Sequence, residues 1–302
     1  MRRIAVFVLA ILAATAPIAG ASRTTRGPSG LPTVAAKFDH TPKIVFPKTA
    51  APKTLSATVL DPGTGAVVAR GDLLVVNYLG QIWRGRVFDS SFGEPVPAAF
   101  QIGVKEVIPG WDKTLVGQRV GSRVLLVVPP VDGYGKKGQP SAGITATDTL
   151  VFVVDLLGAY GRNAVGDPNA VVLRSGLGGV SVGGAPGVEP TITIAKGAPK
   201  PKVLETAVLD RGNGALLKPG LVVIQAVIAN WQGKVVDSTW ANKLPVYSTV
   251  GIKSEPTLLD SLVGTPIGSR VLIVAAGSSS AKPEAIVVDI VAEPPGTAAQ
   301  SK

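Results

Sequence analysis

VIPGWDKTLVG, residues 107–117, is the stretch that decides how this chain folds. It carries the one clear helical signal of this region, whereas the apolar runs on either side have a strand pattern. It predicts a short helix from Trp111 to Val116. Gly117 is the expected C-terminal stop of that helix. Trp111 and Leu115 stand four residues apart, so both side chains would lie on one helical face. We expect that face to pack against a sheet.

The runs on either side of this helix have the pattern of β-strands. Tyr78 alternates with Leu74 and Val76, which would place all three side chains on one face of a strand. Residues 123–128 and 150–157 are rich in Val and Leu and are bounded by Pro or Gly, which also predicts strands. The sequence therefore favours an α+β fold, an antiparallel β-sheet curled around one short α-helix.

This pattern occurs twice along the chain. LDPGTG at 60–65 parallels LDRGNG at 209–214, an offset of 149 residues. GSRVL at 121–125 parallels GSRVL at 268–272, an offset of 147 residues. A slowly drifting offset between matching segments indicates a duplicated structural unit rather than chance.

The repeat and the composition divide the chain into segments. Arg2 and Arg3 precede a short apolar run that ends in Ala-Gly-Ala at 19–21, the pattern of a cleaved export signal. We therefore expect a secreted or cell-envelope protein with no stable membrane span after cleavage. The glycine-rich residues 176–187 are expected to form a loop. The expected segments are a signal peptide at 1–21, a first domain at 30–160, a linker at 161–175, a second domain at 176–294 and a disordered tail at 295–302.

The composition excludes most familiar catalytic chemistry. The 302 residues include no cysteine and one histidine, His40. The chain therefore lacks the residues needed for disulfides, thiol nucleophiles, Ser-His-Asp triads and Cys or His metal sites. We expect no metal and no cofactor. His40 lies in a polar stretch, where an exposed linker side chain is expected. The net charge of +10 is spread without a basic run interleaved with aromatics, so nucleic-acid binding is not expected.

Three motifs of the first repeat together resemble a known family. VFDSS at 87–91, VIPGW at 107–111 and GYG at 133–135, with Tyr78 ahead of them, resemble the FKBP-type peptidyl-prolyl cis-trans isomerases. Their order and spacing agree across residues 55–157. The resemblance implies two FKBP-like domains, each a curled antiparallel β-sheet wrapped around a short α-helix. It also implies an enzyme that isomerises prolyl bonds of proline-containing polypeptides and assists the folding of exported proteins.

The resemblance also assigns roles to side chains of the first repeat. Trp111 would form the floor under the substrate proline, Tyr134 would donate its hydroxyl to a substrate carbonyl, and Asp89 would lie at the pocket edge. The residues alone leave two alternatives open, with Trp111 as an ordinary core side chain and Asp89 as a turn or capping acceptor. The substrate-binding walls would be formed by Tyr78, Phe88, Val107, Ile108, Ile144 and Phe152.

The chain departs from the family pattern in both repeats. Ala98 stands where the family often has an aromatic residue, so the macrolide binding that the resemblance implies is expected to be weakened. The second repeat lacks the Tyr134 loop, and we expect it to be folded without being catalytic. The alternative function is a non-catalytic peptide-binding protein or holdase of the cell envelope. The replacements expected there are Val227 for Tyr78, Val236 for Phe88, Leu258 or Leu259 for Trp111, and Ile286 for Phe152.

Overall fold

The structure is a computed structural model that describes residues 30–254, 256–277 and 282–295. Antiparallel β-strands dominate these residues, together with one α-helix and four 3-10 helices. The expected signal peptide at 1–21 and most of the expected tail lie outside the described residues. Within the described part of the chain, no helix is both long enough and apolar enough to span a membrane.

Residues 30–160, which we call the first half, form eight strands and the α-helix. The main sheet has the order β3–β7–β8–β4–β5, with β6 also paired to β4, while β1 and β2 form a separate hairpin. Three single-turn 3-10 helices at Pro130–Asp132, Gly135–Lys137 and Pro140–Ala142 follow β7. The bounds are β1 Thr33–Ala35, β2 Lys43–Val45, β3 Ser56–Asp61, β4 Leu73–Ile82, β5 Val87–Ser90, β6 Ala98–Gln101, α1 Pro109–Thr114, β7 Arg123–Val128 and β8 Leu150–Tyr160.

Residues 161–295, the second half, form ten strands and a 3-10 helix at Leu258–Leu262. The main sheet has the order β15–β14–β18–β17–β13–β9, with β16 paired to β14, and β10–β11–β12 form a small separate sheet. The bounds are β9 Val171–Val172, β10 Gly176–Leu177, β11 Val180–Gly183, β12 Thr191–Ile194, β13 Glu205–Arg211, β14 Gly220–Asn230, β15 Val235–Ser238, β16 Val246–Val250, β17 Arg270–Ala275 and β18 Glu284–Ala292.

The glycine-rich stretch at 176–187 is not the loop that its composition suggested. It contains β10 and β11, which pair as a tight hairpin. Gly178 and Gly179 close that hairpin with φ angles of 59° and 84°, a region that glycine reaches without steric cost. The expectation of a loop was wrong because these two glycines serve the turn, while the residues around them pair. The stretch expected to be a linker, 161–175, contains β9, which pairs with β13.

The central strands of both main sheets are buried on both faces, which explains their continuous apolar sequences. In β7, Val124, Leu126 and Val128 pack into the core on the α1 side. Leu125 and Val127 point the other way, into the core under the β1–β2 hairpin. A strand covered on both faces needs apolar side chains at every position. Burial of each such side chain is worth roughly 1.5–3 kcal/mol.

The helix lies where the sequence predicted it, shifted by two residues. It spans Pro109–Thr114 rather than 111–116, with Pro109 at its first helical position and Ile108 at its N-cap. Proline is well placed there, because its missing N–H would have no intrahelical partner anyway. Trp111 and Leu115 are both buried in the same core, as the spacing of four predicted.

The second half has a 3-10 helix at the place of α1. Asp112 and Asp260 are equivalent, since each accepts the backbone N–H of a glycine nine residues earlier at 2.7 Å. The repeat offset is 148 residues at this aspartate and 147 at Gly117 and Gly264, so the second half is one residue shorter here. A 3-10 helix has fewer residues per turn than an α-helix, so it fits this shorter segment. The expectation of an α-helix in each repeat was therefore wrong for the second one.

A buried ion pair lies at the same place in both halves. Arg123 Nε donates to Asp155 at 2.6 Å, and Arg270 Nε donates to Asp289 at 2.7 Å. The other guanidinium N–H groups donate to backbone carbonyls of the segment that precedes each main sheet. Each arginine thereby fastens an N-terminal flanking segment onto its sheet. The carbonyl acceptors are those of Ala36 and His40 for Arg123, and those of Gly184, Ala185 and Val188 for Arg270.

The two halves pack against each other through corresponding strands. Leu73, Val75 and Leu157 of the first half share one apolar cluster with Leu221 and Val223 of the second half. At an offset of 148 residues, the last two are the repeats of the first two. The contact therefore resembles an isologous dimer interface, in which each partner uses the same surface. This packing brings the end of β16 close to β5 and β6, beside the site described next.

Candidate functional site

A pocket opens beside α1, and Trp111 forms its floor. The indole is only 5% exposed and is held on the first turn of the helix. The rings of Tyr78, Phe100 and Phe152 surround it, with centroids 5.2 to 5.3 Å from that of the indole. Two of these contacts are edge-to-face, an arrangement that aromatic quadrupoles favour. The result is an apolar surface formed by the indole and bordered by three aromatic rings.

The cavity above this floor has a volume of about 290 Å³. Eight of the nine predicted site residues line it, so the structure brings together all of them except Ile144. Phe100 and Glu106 also line it, although the sequence did not assign them to the site, and so does Ala98, which the sequence identified as a departure from the family pattern. The strand period could have found Phe100, because it stands two residues after Ala98 on β6 and faces the same side.

Ile144 lies elsewhere than expected. Its side chain is 3% exposed and packs in the core beneath the loop that carries Tyr134. The backbone of Ile144 pairs with that of Gln139, with N–H to carbonyl distances of 2.8 and 3.0 Å in the two directions. This local bridge turns the isoleucine inward. The side chain therefore stabilises the loop, and the cavity wall is formed without it.

Asp89 combines the two roles that the sequence left open. Its carboxylate accepts a hydrogen bond of 2.5 Å from the Tyr78 hydroxyl at the pocket edge. It also accepts the backbone N–H of Ser90 at 2.9 Å, which is a turn contact. Asp237, its repeat in the second half, accepts the Ser238 N–H at 2.8 Å in the same way. The turn contact is thus common to both halves, whereas the phenol contact exists only in the first.

Two phenols give the rim of the pocket its hydrogen-bonding capacity. Burial raises the pKa of Tyr78, and its hydrogen bond to Asp89 raises it further. Burial also raises the pKa of Tyr134, with a smaller contribution from the charge of Asp89. Both phenols therefore stay protonated at neutral pH. Tyr134 is 37% exposed, so its hydroxyl can donate to a group that enters the pocket.

The loop that carries Tyr134 is held close to α1. Lys113 on the helix reaches Asp132 at 2.6 Å. The N–H of Gly133 donates to the carbonyls of Pro129 and Pro130, which closes the first turn of the loop. A charged contact and a turn therefore anchor the residues directly before Tyr134 to the helix and to the end of β7.

The N-terminus of α1 supplies a second kind of donor. Ile108 is the N-cap, and its carbonyl accepts the Trp111 N–H at 3.0 Å. The N–H groups at the start of a helix have no intrahelical acceptor. The Ile108 N–H is therefore suited to bind a peptide carbonyl at the pocket edge. In the described part of the chain, no group of three or more acidic or histidine side chains could hold a metal ion.

The second half carries no comparable ring set at the equivalent place. Ser91 accepts the Tyr78 N–H at 2.9 Å, and Thr239 accepts the Ala226 N–H at 2.8 Å. Tyr78 is therefore equivalent to Ala226, and the expected match to Val227 was wrong by one residue. The expected match implied an offset of 149 residues at this strand, whereas these contacts fix it at 148.

The other replacements follow from the same registers. The two equivalent aspartates of the helices make Leu259, rather than Leu258, the counterpart of Trp111. Pairing with the central strand makes Ile286 the counterpart of Phe152. The connection from β17 to β18 has only eight residues, 276–283, whereas the one from β7 to β8 that holds Tyr134 has 21, residues 129–149. Aliphatic side chains thus keep the core of the second half filled, while the aromatic surface is absent.

Comparison with known proteins identifies the family of the segment that holds the pocket. Residues 65–157 match the model of the FKBP-type peptidyl-prolyl cis-trans isomerase family, and they include every lining residue. An FK506-binding protein of Streptomyces anulatus is 35% identical over 117 residues, which are 38% of this chain and 94% of that protein. The isomerase FkpA of Escherichia coli strain K12 is 40% identical over 99 residues, 33% of this chain and 35% of FkpA.

A crystal structure of FkpA from Escherichia coli is 39% identical and covers 35% of this chain and 48% of that one, with a TM-score of 0.33. The chain thus spans almost the whole Streptomyces relative but only about a third of FkpA. Nearly complete coverage at 35% identity, with the pocket inside the matched residues, decides the family. The chain belongs to the FKBP-type peptidyl-prolyl cis-trans isomerases.

Proposed function

We propose that this peptidyl-prolyl cis-trans isomerase acts on exported proteins and uses the pocket above Trp111 as its catalytic site. The ring-walled floor under a protonated Tyr134 is the observation that carries this proposal. Support for export comes from the sequence of residues 1–21. Uncatalysed prolyl isomerisation takes roughly tens to hundreds of seconds, which is slow enough to limit folding.

The chemistry requires no covalent step and no proton transfer. Rotation about an amide passes through a twisted state that has lost conjugation, with a barrier of about 18–20 kcal/mol. The planar amide is the more dipolar form, so a dry apolar pocket penalises it more than the twisted form. An acceleration of about 10⁴ needs only about 5.5 kcal/mol of differential binding. An aromatic floor and a few donors are sufficient for an effect of that size.

Each pocket residue has a role in this mechanism. The substrate proline ring would lie on Trp111, against Phe88 and Phe152. Tyr134 would donate its hydroxyl to a substrate carbonyl, and the Ile108 N–H would bind a second carbonyl. Asp89 holds the Tyr78 hydroxyl, which keeps that ring edge-on to the indole and fixes the pocket edge.

We further propose that each half is an FKBP-like domain and that the second is not catalytic. The recurring ion pair, the recurring aspartate contact and the matching strand orders support a common scaffold. The loss of the rings and of the Tyr134 loop supports the lack of catalysis. Ala98 leaves one side of the cavity lined only by a methyl group, which supports weak binding of macrolides.

A protease-coupled assay of a short prolyl peptide tests this proposal on the full chain. The wild type should accelerate cis-to-trans conversion in proportion to enzyme concentration. Trp111→Leu should reduce kcat/KM strongly, and Tyr134→Phe should reduce it modestly. Equal rates for all three proteins would contradict a catalytic pocket. Binding of the peptide without any acceleration would favour the alternative of a holdase.

A further inference from the structure

We propose that the substrate polypeptide continues from the prolyl pocket into a second cavity between the two halves, and that this cavity selects basic residues near the proline. The inference rests on the proposed function and extends the same site. It gives the second half a part in substrate binding although it lacks a prolyl pocket of its own.

The second cavity directly adjoins the first. It has a volume of about 410 Å³, within the range of ligand-binding clefts. Tyr78, Asp89 and Ala98 line both cavities. The side chain of Ala98 is a single methyl group, so little material stands between the two spaces. In the proposed binding mode, a peptide whose proline lies on Trp111 extends past this small side chain into the second cavity.

The walls of this cavity come from both halves and are preformed. The first half contributes the segment at 94–98, in which Pro95 and Pro97 fix the backbone φ angle. Val96 of that segment packs into the apolar cluster that joins the halves. The second half contributes Ile252 and its neighbours after β16. A wall that is already ordered adds little entropic cost to peptide binding.

The charge of the cavity indicates which residues it accepts. Asp89 and Glu94 line it, and no lysine or arginine is among its described lining residues. Neither carboxylate forms an ion pair within the described part of the chain. The chain as a whole carries a net charge of +10, whereas the lining of this cavity carries two carboxylates and no basic side chain among its described residues. Lysine or arginine side chains of the substrate complement these two carboxylates.

The reach of an extended peptide fits this arrangement. Successive residues of an extended chain advance by about 3.3 Å, so a residue two or three positions from the proline lies about 7–10 Å away. In this proposal a residue at that distance lies beyond Ala98, which lines both cavities, in the second cavity. A four-residue substrate with uncharged side chains has no basic side chain to place there and therefore serves as the reference.

The first test compares peptides on the wild-type protein. One substrate has four residues, and the others have about twelve, with lysine or glutamate placed two and three positions before or after the proline. Isomerisation is measured as kcat/KM by exchange NMR spectroscopy. We expect kcat/KM to be about fivefold higher for a lysine-flanked than for a glutamate-flanked long peptide, on one side of the proline.

Two variants assign that preference to the cavity. Glu94→Lys should abolish or invert the preference for lysine. For Ile252→Arg the readout is the kcat/KM of the lysine-flanked long peptide divided by the kcat/KM of the short peptide, and this ratio should fall about fivefold. Glu205→Lys and Val235→Arg change charge and bulk equally at exposed positions of the second half away from both cavities, and they should leave the ratio unchanged.

The outcomes separate this inference from the proposed function. If the wild type does not accelerate even the short peptide, the proposed function fails. If the short peptide turns over but lysine and glutamate peptides react equally, the inference is overturned. It is also overturned if Glu94→Lys and Glu205→Lys change the preference by the same factor, because long-range charge would then explain the effect.

Discussion

The two halves of the molecule share several polar contacts and differ in their ring systems. Arg123 and Arg270 each form an ion pair with an aspartate and bind a flanking segment. Asp112 and Asp260 each accept the backbone N–H of a glycine. Trp111, in contrast, has become Leu259, and the loop of Tyr134 has gone. A scaffold can therefore be kept by a few polar contacts while its pocket is replaced by ordinary core. Family likeness of a fold does not by itself carry the activity.

The largest expected effect concerns the contact that both halves keep. Arg270→Leu leaves Asp289 buried without its partner, and removal of one member of a buried pair costs about 3–5 kcal/mol of unfolding free energy. Arg123→Leu should cost a similar amount in the first half. Urea unfolding followed by tryptophan fluorescence measures both. The exposed Arg211 provides the control, and Arg211→Leu should change stability by less than about 0.5 kcal/mol. A loss below about 1 kcal/mol in Arg270→Leu would mean that the pair does not fasten the flanking segment.

The second prediction transfers a residue of the second half into the first. Trp111→Leu installs the residue found at the equivalent place, and it should lower kcat/KM for a short prolyl peptide about tenfold or more, equivalent to roughly 1.4 kcal/mol or more of transition-state stabilisation. Trp231→Leu removes a tryptophan of the second half and should leave kcat/KM unchanged. A comparable loss in both variants would place the activity outside the Trp111 pocket.

Much of the first half could be predicted from sequence, because its signals are local. The spacing of Trp111 and Leu115 located α1, and the apolar runs located β7 and β8. The duplication was also visible in the segments that turn out to hold the buried ion pairs. Their partners were not visible, since Arg123 donates to the carbonyls of a segment more than 80 residues earlier. Contacts between a side chain and a distant backbone leave no pattern in the sequence.

The errors in the site have equally physical causes. Ile144 has the right character for a pocket wall, but a backbone bridge to Gln139 turns it into the core. Val227 and Ala226 are both apolar and adjacent, so apolar character alone could not decide which one replaces Tyr78. A strand reverses its facing side at each residue, and the register is fixed by the Thr239 contact and by the strand pairing, which the sequence does not show. The cavity between the halves depends on tertiary packing and has no local signature at all.

The third prediction concerns the other group that the second half has lost. Tyr134→Phe removes one hydroxyl from the rim of the pocket and keeps the ring. A neutral hydrogen bond is worth about 0.5–1.5 kcal/mol, so kcat/KM should fall about three- to tenfold. Tyr247→Phe changes an exposed phenol of the second half and should have no effect on kcat/KM. An equal response of the two variants would show that the Tyr134 hydroxyl does not contact the substrate.

The smallest expected effect is the absence of a pH dependence in the range where most acid–base enzymes have one. The pKa values of Tyr78 and Tyr134 are raised, mainly by burial, so both phenols remain protonated throughout pH 6–9. We expect kcat/KM, measured with a short prolyl peptide and corrected for the uncatalysed rate, to stay constant over this range. A midpoint within it would indicate an ionising group in the reaction and would contradict the mechanism proposed above.

Stability should respond to alkali in the direction set by the same shifts. Burial raises the pKa of Tyr160, which packs in the apolar cluster between the halves, to about 12. Burial also raises the pKa values of Tyr78 and Tyr134. An unfolded tyrosine has a pKa of about 10, so the folded state retains these protons where the unfolded state has released them. The resulting stabilisation is complete below pH 10 and declines as the pH rises above it. Urea midpoints measured at pH 8 and pH 10.5 should therefore fall with pH, and Tyr160→Phe should reduce that fall, because the first half then holds one fewer buried phenol to ionise.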